Sequence, residues 1–282
     1  MALPAGFTFS QASLQDYRDC PRRFQLRYML GVRWPSADAE LSTWEKRARQ
    51  GAAFHRLVHQ HTVGIPEAAL TESITDPELR AWWRAYLDTP PSGLPSEVRR
   101  SEVRLSVPLN GYRLMARYDL LAIAPGQRAV IVDWKTSLRR TQRRFLADRW
   151  QTRVYRYVLV QAGVQLNAGA ALYPDRIELI YWFTNFPQQP ERLPYDARQY
   201  ADDEVALQAI VQEIARRDQA PRDQAPWTLT DEFRHCRYCT YRTLCERDEQ
   251  ASTIDAPEPE WEPEEDPEDW EVDMNQVGEI AF

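Results

Sequence analysis

Lysine is nearly missing from this 282-residue chain: of 35 basic residues only Lys46 and Lys135 are lysines, and the rest are arginine. An arginine-rich genome accounts for such a bias, so the two positions where lysine survives stand out. Long apolar runs are missing too. The longest hold a handful of residues, as at 120–124, and a membrane-spanning helix needs about 18 or more. The opening MALPAGFTFSQ has neither the basic start nor the apolar stretch of a secretory leader. A soluble, cytoplasmic protein is therefore expected. No GxxxxGK[ST] motif occurs, so nucleotide-driven unwinding would need a partner. Cysteine is limited to Cys20, Cys236, Cys239 and Cys245, and in a reducing compartment four thiols point to metal or cluster ligation rather than disulfides.

What is present makes a folded domain. Hydrophobic residues are 43% and aromatics 11%, enough for a packed core in one large domain or two small ones. The net charge of −7 hides an uneven distribution. Residues 251–282 carry 12 acids and no Lys or Arg, which leaves 30 acids against 35 bases in the first 250. A mildly basic body with an acidic tail is suited to a polyanionic partner despite its overall sign. The Pro/Glu/Trp-rich tail has neither helical nor strand period and is expected to be disordered, which gives a domain over 1–250 and a tail over 251–282.

The pattern predicts helices over 10–31, broken near Cys20-Pro21, over 43–62, from Asp76-Pro77 to before Pro90, over 142–161 and over 197–217. Strands are expected at 99–108, 113–123, 128–134 and 176–184. Asn110-Gly111 and Pro125-Gly126 mark the turns of antiparallel hairpins. Helices around a mixed sheet give an α/β fold, with α+β left open.

The segment RAVIVDWKT is the most informative. On a strand Ile131, Asp133 and Lys135 share a face. If the turn after Ala124 has three residues, Asp119 lies opposite Asp133, with Cβ atoms about 4.5–5.5 Å apart. A four-residue turn would put the two carboxylates on opposite faces. Gln151 and Tyr155, at i,i+4 on the next helix, can face the same site. Seven arginines between 139 and 156 (Arg139, Arg140, Arg143, Arg144, Arg149, Arg153 and Arg156), interleaved with Phe145, Trp150, Tyr155 and Tyr157, suit phosphates and unpaired bases; a merely solvated helix face is the competing reading. Glu102 could support the site from the neighbouring strand, with a solvated face the favoured reading; His59, which with His55 makes an HxxxH pair able to bind zinc, is expected in packing or at the surface, and Lys46 as a solvated helix charge. His61 and His235 belong to no constellation.

In order along the chain, GAAFH, RYD, IVDWK and QTRVY resemble the motifs of the PD-(D/E)XK nucleases of the RecB type, including the nuclease domain of AddB and the CRISPR-adaptation nucleases. The likeness runs from about Phe7 to Cys245. It implies a restriction-endonuclease-like core and metal-assisted phosphodiester hydrolysis, with Asp119, Asp133, Lys135, Gln151 and Tyr155 as catalytic residues. His55, Asp119, Asp133 and the Trp134 backbone carbonyl would hold Mg²⁺ or Mn²⁺. The spacing Cys236-x2-Cys239-x5-Cys245, with Cys20 in a Cys-Pro-x-x-Phe context, is similar to the iron–sulfur staple of these families; structural zinc is the alternative. The staple would join the N- and C-terminal segments. The implied activity is a DNA exonuclease on single strands or ends, in repair, recombination or defence. Two alternatives are a CRISPR spacer-acquisition nuclease and a non-catalytic DNA-binding subunit of a helicase–nuclease complex. The tail, ending in EIAF, suits a solubilising segment or a dock for a helicase or other protein, with a DNA mimic lying in the basic groove ranked third.

Overall fold

The computed structural model describes residues 3–33, 39–219 and 226–254, with 39–45 described by backbone course alone. Strand β1 (Thr8–Phe9) leads directly into helix α1 (Gln11–Asp19). Ser10 caps that helix reciprocally: its hydroxyl accepts from the Ser13 N–H, and the Ser13 hydroxyl accepts from the Ser10 N–H. The break foreseen at Cys20-Pro21 is real. Cys20 is extended, and Pro21 starts α2 (Pro21–Phe24), which runs into one π-helical turn at Gln25–Met29. Then come α3 (Ala39–Thr62), α4 (Glu67–Ser73) and α5 (Pro77–Asp88), the last capped by the Asp76 carboxylate accepting from the Glu78 and Leu79 amides.

Strands β2 (Val98–Leu109), β3 (Tyr112–Ala124) and β4 (Arg128–Lys135) form the two expected hairpins. Asn110 and Gly111 both take positive φ, 50° and 82°, as a two-residue type I′ turn requires, and this sets Leu109 opposite Tyr112. The 125–127 turn sets Ala124 opposite Arg128, the register that the sequence argument needed. Strands β5 (Ile177–Phe183) and β6 (Glu191–Pro194) complete the sheet. β2 runs along one edge of β3, while β1 and β4 share the other. β4 then pairs parallel with β5, and β5 pairs antiparallel with β6. The sheet is mixed, with helices on both faces: an α/β fold.

Each face has its own core. Leu14, Tyr17 and Phe24 lie on one side with Val154, Val158 and Leu159 of α7 (Trp150–Ala162) and Leu207, Val211 and Ile214 of α8 (Ala197–Gln219). Phe54, Leu57, Trp82 and Trp83 of α3 and α5 lie on the other, against Val130, Val132, Trp134, Ile180 and Trp182.

Two departures from the sequence reading matter. The single helix expected over 142–161 is two, α6 (Arg143–Ala147) and α7, because Arg149 is extended (ψ 145°). At the break the Leu146 carbonyl accepts from the Arg149 N–H at 3.2 Å and from the Thr152 hydroxyl at 2.6 Å. At the other end, helix α9 (Asp248–Ser252) buries Ala251; the rest of the acidic tail, from 255, lies outside the described residues. Among the described residues, no helix is long and apolar enough to cross a membrane.

Candidate active site

Hairpin geometry alone aligns three acids. Ser101 pairs with Leu120 and Val103 with Tyr118, which leaves Glu102 opposite Asp119; Leu120 pairs with Val132, which leaves Asp119 opposite Asp133. One row across β2, β3 and β4 therefore carries three carboxylates. The sheet is deformed at this row. Glu102 has φ of 57°, a conformation that costs a non-glycine residue about 1–3 kcal/mol. The alternation of β3 also slips: Leu114, Ala116 and Tyr118 face the same core as Leu121 and Ile123. The Asp119 carboxylate takes part in the repair, accepting from the Trp134 N–H at 2.8 Å through Oδ2.

Asp119 Oδ1 lies 3.1 Å from His55 Nδ1 on α3. With Glu102 these two form a group whose ligand atoms all lie within 4.8 Å of one another. The imidazole is drawn in by charge: burial alone would lower its pKa, but the Asp119 carboxylate raises it above the usual histidine value. In return, burial of Asp119 is outweighed by His55, which holds that carboxyl below the ordinary range. Glu102 also accepts from Arg117 Nε at 2.6 Å. The sequence reading gave Glu102 to solvent. The signal that places it was legible, since the Asn-Gly turn fixes the β2–β3 register as firmly as the next turn fixes Asp119 against Asp133.

Asp133 and Lys135 are 3% and 2% exposed and face α7. Lys135 Nζ stands 2.9 Å from Asp133 Oδ2 and donates to Gln151 Oε1 at 2.8 Å. The Gln151 amide spends its two N–H groups on Asp133 Oδ1 (3.0 Å) and the Tyr155 hydroxyl (3.3 Å). Burial, reinforced by the Asp119 charge, pushes the Asp133 carboxyl up to about 7 against the opposing pull of Lys135. The structure thus brings His55, Asp119, Asp133, Lys135, Gln151 and Tyr155 to one end of the sheet. Trp134 enters through its amide, which donates to Asp119.

The basic residues divide. Arg140 is paired with Glu191, Arg153 with Asp203, and Arg156 is buried against Asp203, whereas Arg139, Arg143 and Arg144 are exposed. Lys46 is exposed. His59 bonds Ser101 Oγ at 2.7 Å and His61 bonds the Tyr86 hydroxyl at 3.1 Å, so both are packing residues. His235 lies 3.6 Å from Asp19.

The thiols form a second locus. Cys20, between α1 and α2, and Cys236 are buried, and Cys239 and Cys245 are partly so. Burial pushes the Cys236 thiol up to about 11, with the charges of Cys239, Cys20 and Cys245 adding to the effect. Cys239 and Cys245 are raised for the same first reason. Three thiols held back from ionising by burial, and by one another's charge, belong to a donor set that a cationic centre relieves. Four thiolates suit a tetrahedral zinc ion and an iron–sulfur cluster alike.

A family model for the PD-(D/E)XK nuclease superfamily matches residues 8–246. The chain belongs to the PD-(D/E)XK nuclease superfamily. Nucleases of this family use divalent metals, and the donor set of one imidazole and clustered carboxylates fits such an ion. Among solved structures the chain is similar to a Eubacterium rectale protein named an exonuclease, at 11% identity and TM-score 0.43, over 74% of this chain and 80% of the other. It is also similar to SSO0001, at 14% identity and TM-score 0.34, over 84% and 85%. Both scores are below 0.5, and the family assignment rests on the sequence match. No curated protein matches the chain.

Proposed function

We propose that this PD-(D/E)XK protein is a metal-dependent deoxyribonuclease that acts as an exonuclease on single-stranded DNA or DNA ends, in repair, recombination or defence. The observation that carries the reading is the buried contact of Lys135 with Asp133 and Gln151 beside the His55–Asp119–Glu102 group. A buried lysine has to be held in place by partners, and these partners aim its ammonium at the carboxylate row.

His55, Asp119 and Asp133, with Glu102 added by the hairpin register, would hold Mg²⁺ or Mn²⁺; the nitrogen donor favours Mn²⁺. When bound, the ion supplies the charge that makes water nucleophilic and offsets charge on the phosphate. Lys135 presents a compact positive charge to the scissile phosphate, a geometry that the planar fork of arginine does not reproduce. Gln151 fixes that ammonium, and Tyr155 fixes Gln151. For the four thiols we propose a [4Fe–4S] cluster that staples α1 and α2 to the 236–245 segment; the Cys-x2-Cys-x5-Cys spacing with Cys20 upstream supports it over zinc.

The test is degradation of labelled single-stranded and duplex DNA by anaerobically purified protein with Mg²⁺ or Mn²⁺. Asp133→Ala and Lys135→Ala are each expected to lose at least about 100-fold in rate, the scale of a lost electrostatic stabiliser. Equal rates in wild type and both variants would mean a contaminating nuclease and would end the assignment.

A further inference from the structure

The segment after Lys135 is built unlike a solvated loop. It is anchored at three points: the Asn185 side chain donates to the Ser137 carbonyl at 3.1 Å, Arg140 binds the Gln189 carbonyl and Glu191, and Leu146 is fully buried. The last anchor leads back to the carboxylate row. The Leu146 carbonyl takes the Thr152 proton, and the Tyr181 hydroxyl shares its one proton between Thr152 Oγ1 (2.7 Å) and Gln151 Oε1 (3.3 Å), the oxygen that holds Lys135.

Between these anchors the chain turns apolar groups outward. Leu138 is 47% exposed and Phe145 is 55% exposed, and the Arg144 guanidinium lies over the Phe145 ring, 4.6 Å from its centroid. Arg139 and Arg143 are exposed beside them. One exposed apolar residue means little. Two, set among three exposed arginines on an arch tied to the site, form a surface with a specific chemistry: an aromatic face for a base and guanidinium groups for the adjoining phosphates.

We propose that the 138–145 arch is a stacking platform for single-stranded nucleic acid, with Phe145 taking the face of an unpaired base and Arg139, Arg143 and Arg144 its flanking phosphates. A duplex keeps its base faces stacked inside, so the ring can engage only a strand already open. Phe145 is therefore a specificity residue, which selects the open strand while the buried row does the chemistry. This deepens the proposed nuclease reading and rests on it for the direction in which the strand runs.

The experiment measures binding apart from cleavage. Full-length protein in EDTA is titrated against fluorescent oligo(dT) and a blunt hairpin duplex, and anisotropy is followed. Phe145→Ala is expected to weaken oligo(dT) binding by about tenfold, the scale of one lost base–aromatic stack, with the hairpin unchanged and Phe145→Trp at wild-type affinity. Unchanged oligo(dT) affinity in Phe145→Ala overturns the platform and leaves the arch to a protein partner. Equal weakening for both DNAs overturns it too, since the ring would then not select open strands. If Phe145→Ala loses oligo(dT) affinity while no metal supports cleavage in wild type, the platform stands and the nuclease reading falls; cleavage with unaltered binding gives the reverse.

Discussion

Asp133 shows how one buried side chain ties ion binding to acidity. With its carboxyl raised to about 7, it holds a proton in the metal-free protein below that pH and is ionised above it. A divalent ion has to displace that proton at low pH, and the proton of His55, whose pKa is raised as well, so apparent affinity grows with pH through about 7. Calorimetric Mn²⁺ titrations between pH 5.5 and 8 should show a rise of about tenfold per unit or more below 7. A flat profile would remove Asp133 from the ion's ligands. Glu102→Gln should weaken Mn²⁺ by about tenfold in the same assay and regain activity as Mn²⁺ is raised, whereas Lys135→Arg should not, because its defect lies in the shape of the cation. The shared face of Asp133 and Lys135 was legible in the sequence, since residues two apart on a strand point the same way. The place of Glu102 opposite Asp119 was legible through the Asn110-Gly111 turn, but its left-handed φ and the slip of β3 are tertiary events that period-two counting cannot register.

At the scale of elements, the hairpins were legible and the helix after them was not. Asn110-Gly111 and the 125–127 turn specify registers by local chemistry, and both registers are present. The stretch 142–161 keeps helical periodicity throughout, yet the chain breaks at Arg149 so that Leu146 can enter the core and Gln151 can reach Lys135. The short strands β1 and β6 exist because longer neighbours supply their hydrogen bonds, which no local pattern announces. The break makes Thr152 a joint between α6 and α7. Thr152→Val keeps its shape but removes one of the donors to the Leu146 carbonyl and the acceptor of the Tyr181 hydroxyl, a loss of about 1 kcal/mol, measurable by urea denaturation. The same substitution should lower the cleavage rate with little change in KM, since the disturbance reaches Gln151 before it reaches the DNA surface. Unaltered stability would show that the joint carries no load.

For the whole molecule, the informative feature is closure of the chain on itself. Arg22 N–H donates to the Thr228 carbonyl at 3.2 Å, the Tyr241 hydroxyl donates to the Val32 carbonyl at 2.8 Å, and Trp227 stacks on Phe24 with centroids 5.8 Å apart. A cluster on Cys20, Cys236, Cys239 and Cys245 would reinforce contacts that already exist. Cys20→Ser and Cys245→Ser should each lose iron on elemental analysis. Each should also lose roughly 2.7 kcal/mol of stability, the linkage of a ligand held at about a hundred times its dissociation constant. Zinc without iron in the wild type would replace the cluster by a single ion. The Cys-x2-Cys-x5-Cys spacing suggested the staple; the aromatic and backbone contacts beneath it were invisible to motif reasoning, because they join residues about 200 positions apart. That separation sets an order of events during synthesis. Helices α1 and α2 are synthesised about 200 residues ahead of the segment that covers their aromatic rings, so a message truncated after the sheet would leave those rings sticky and in need of a chaperone.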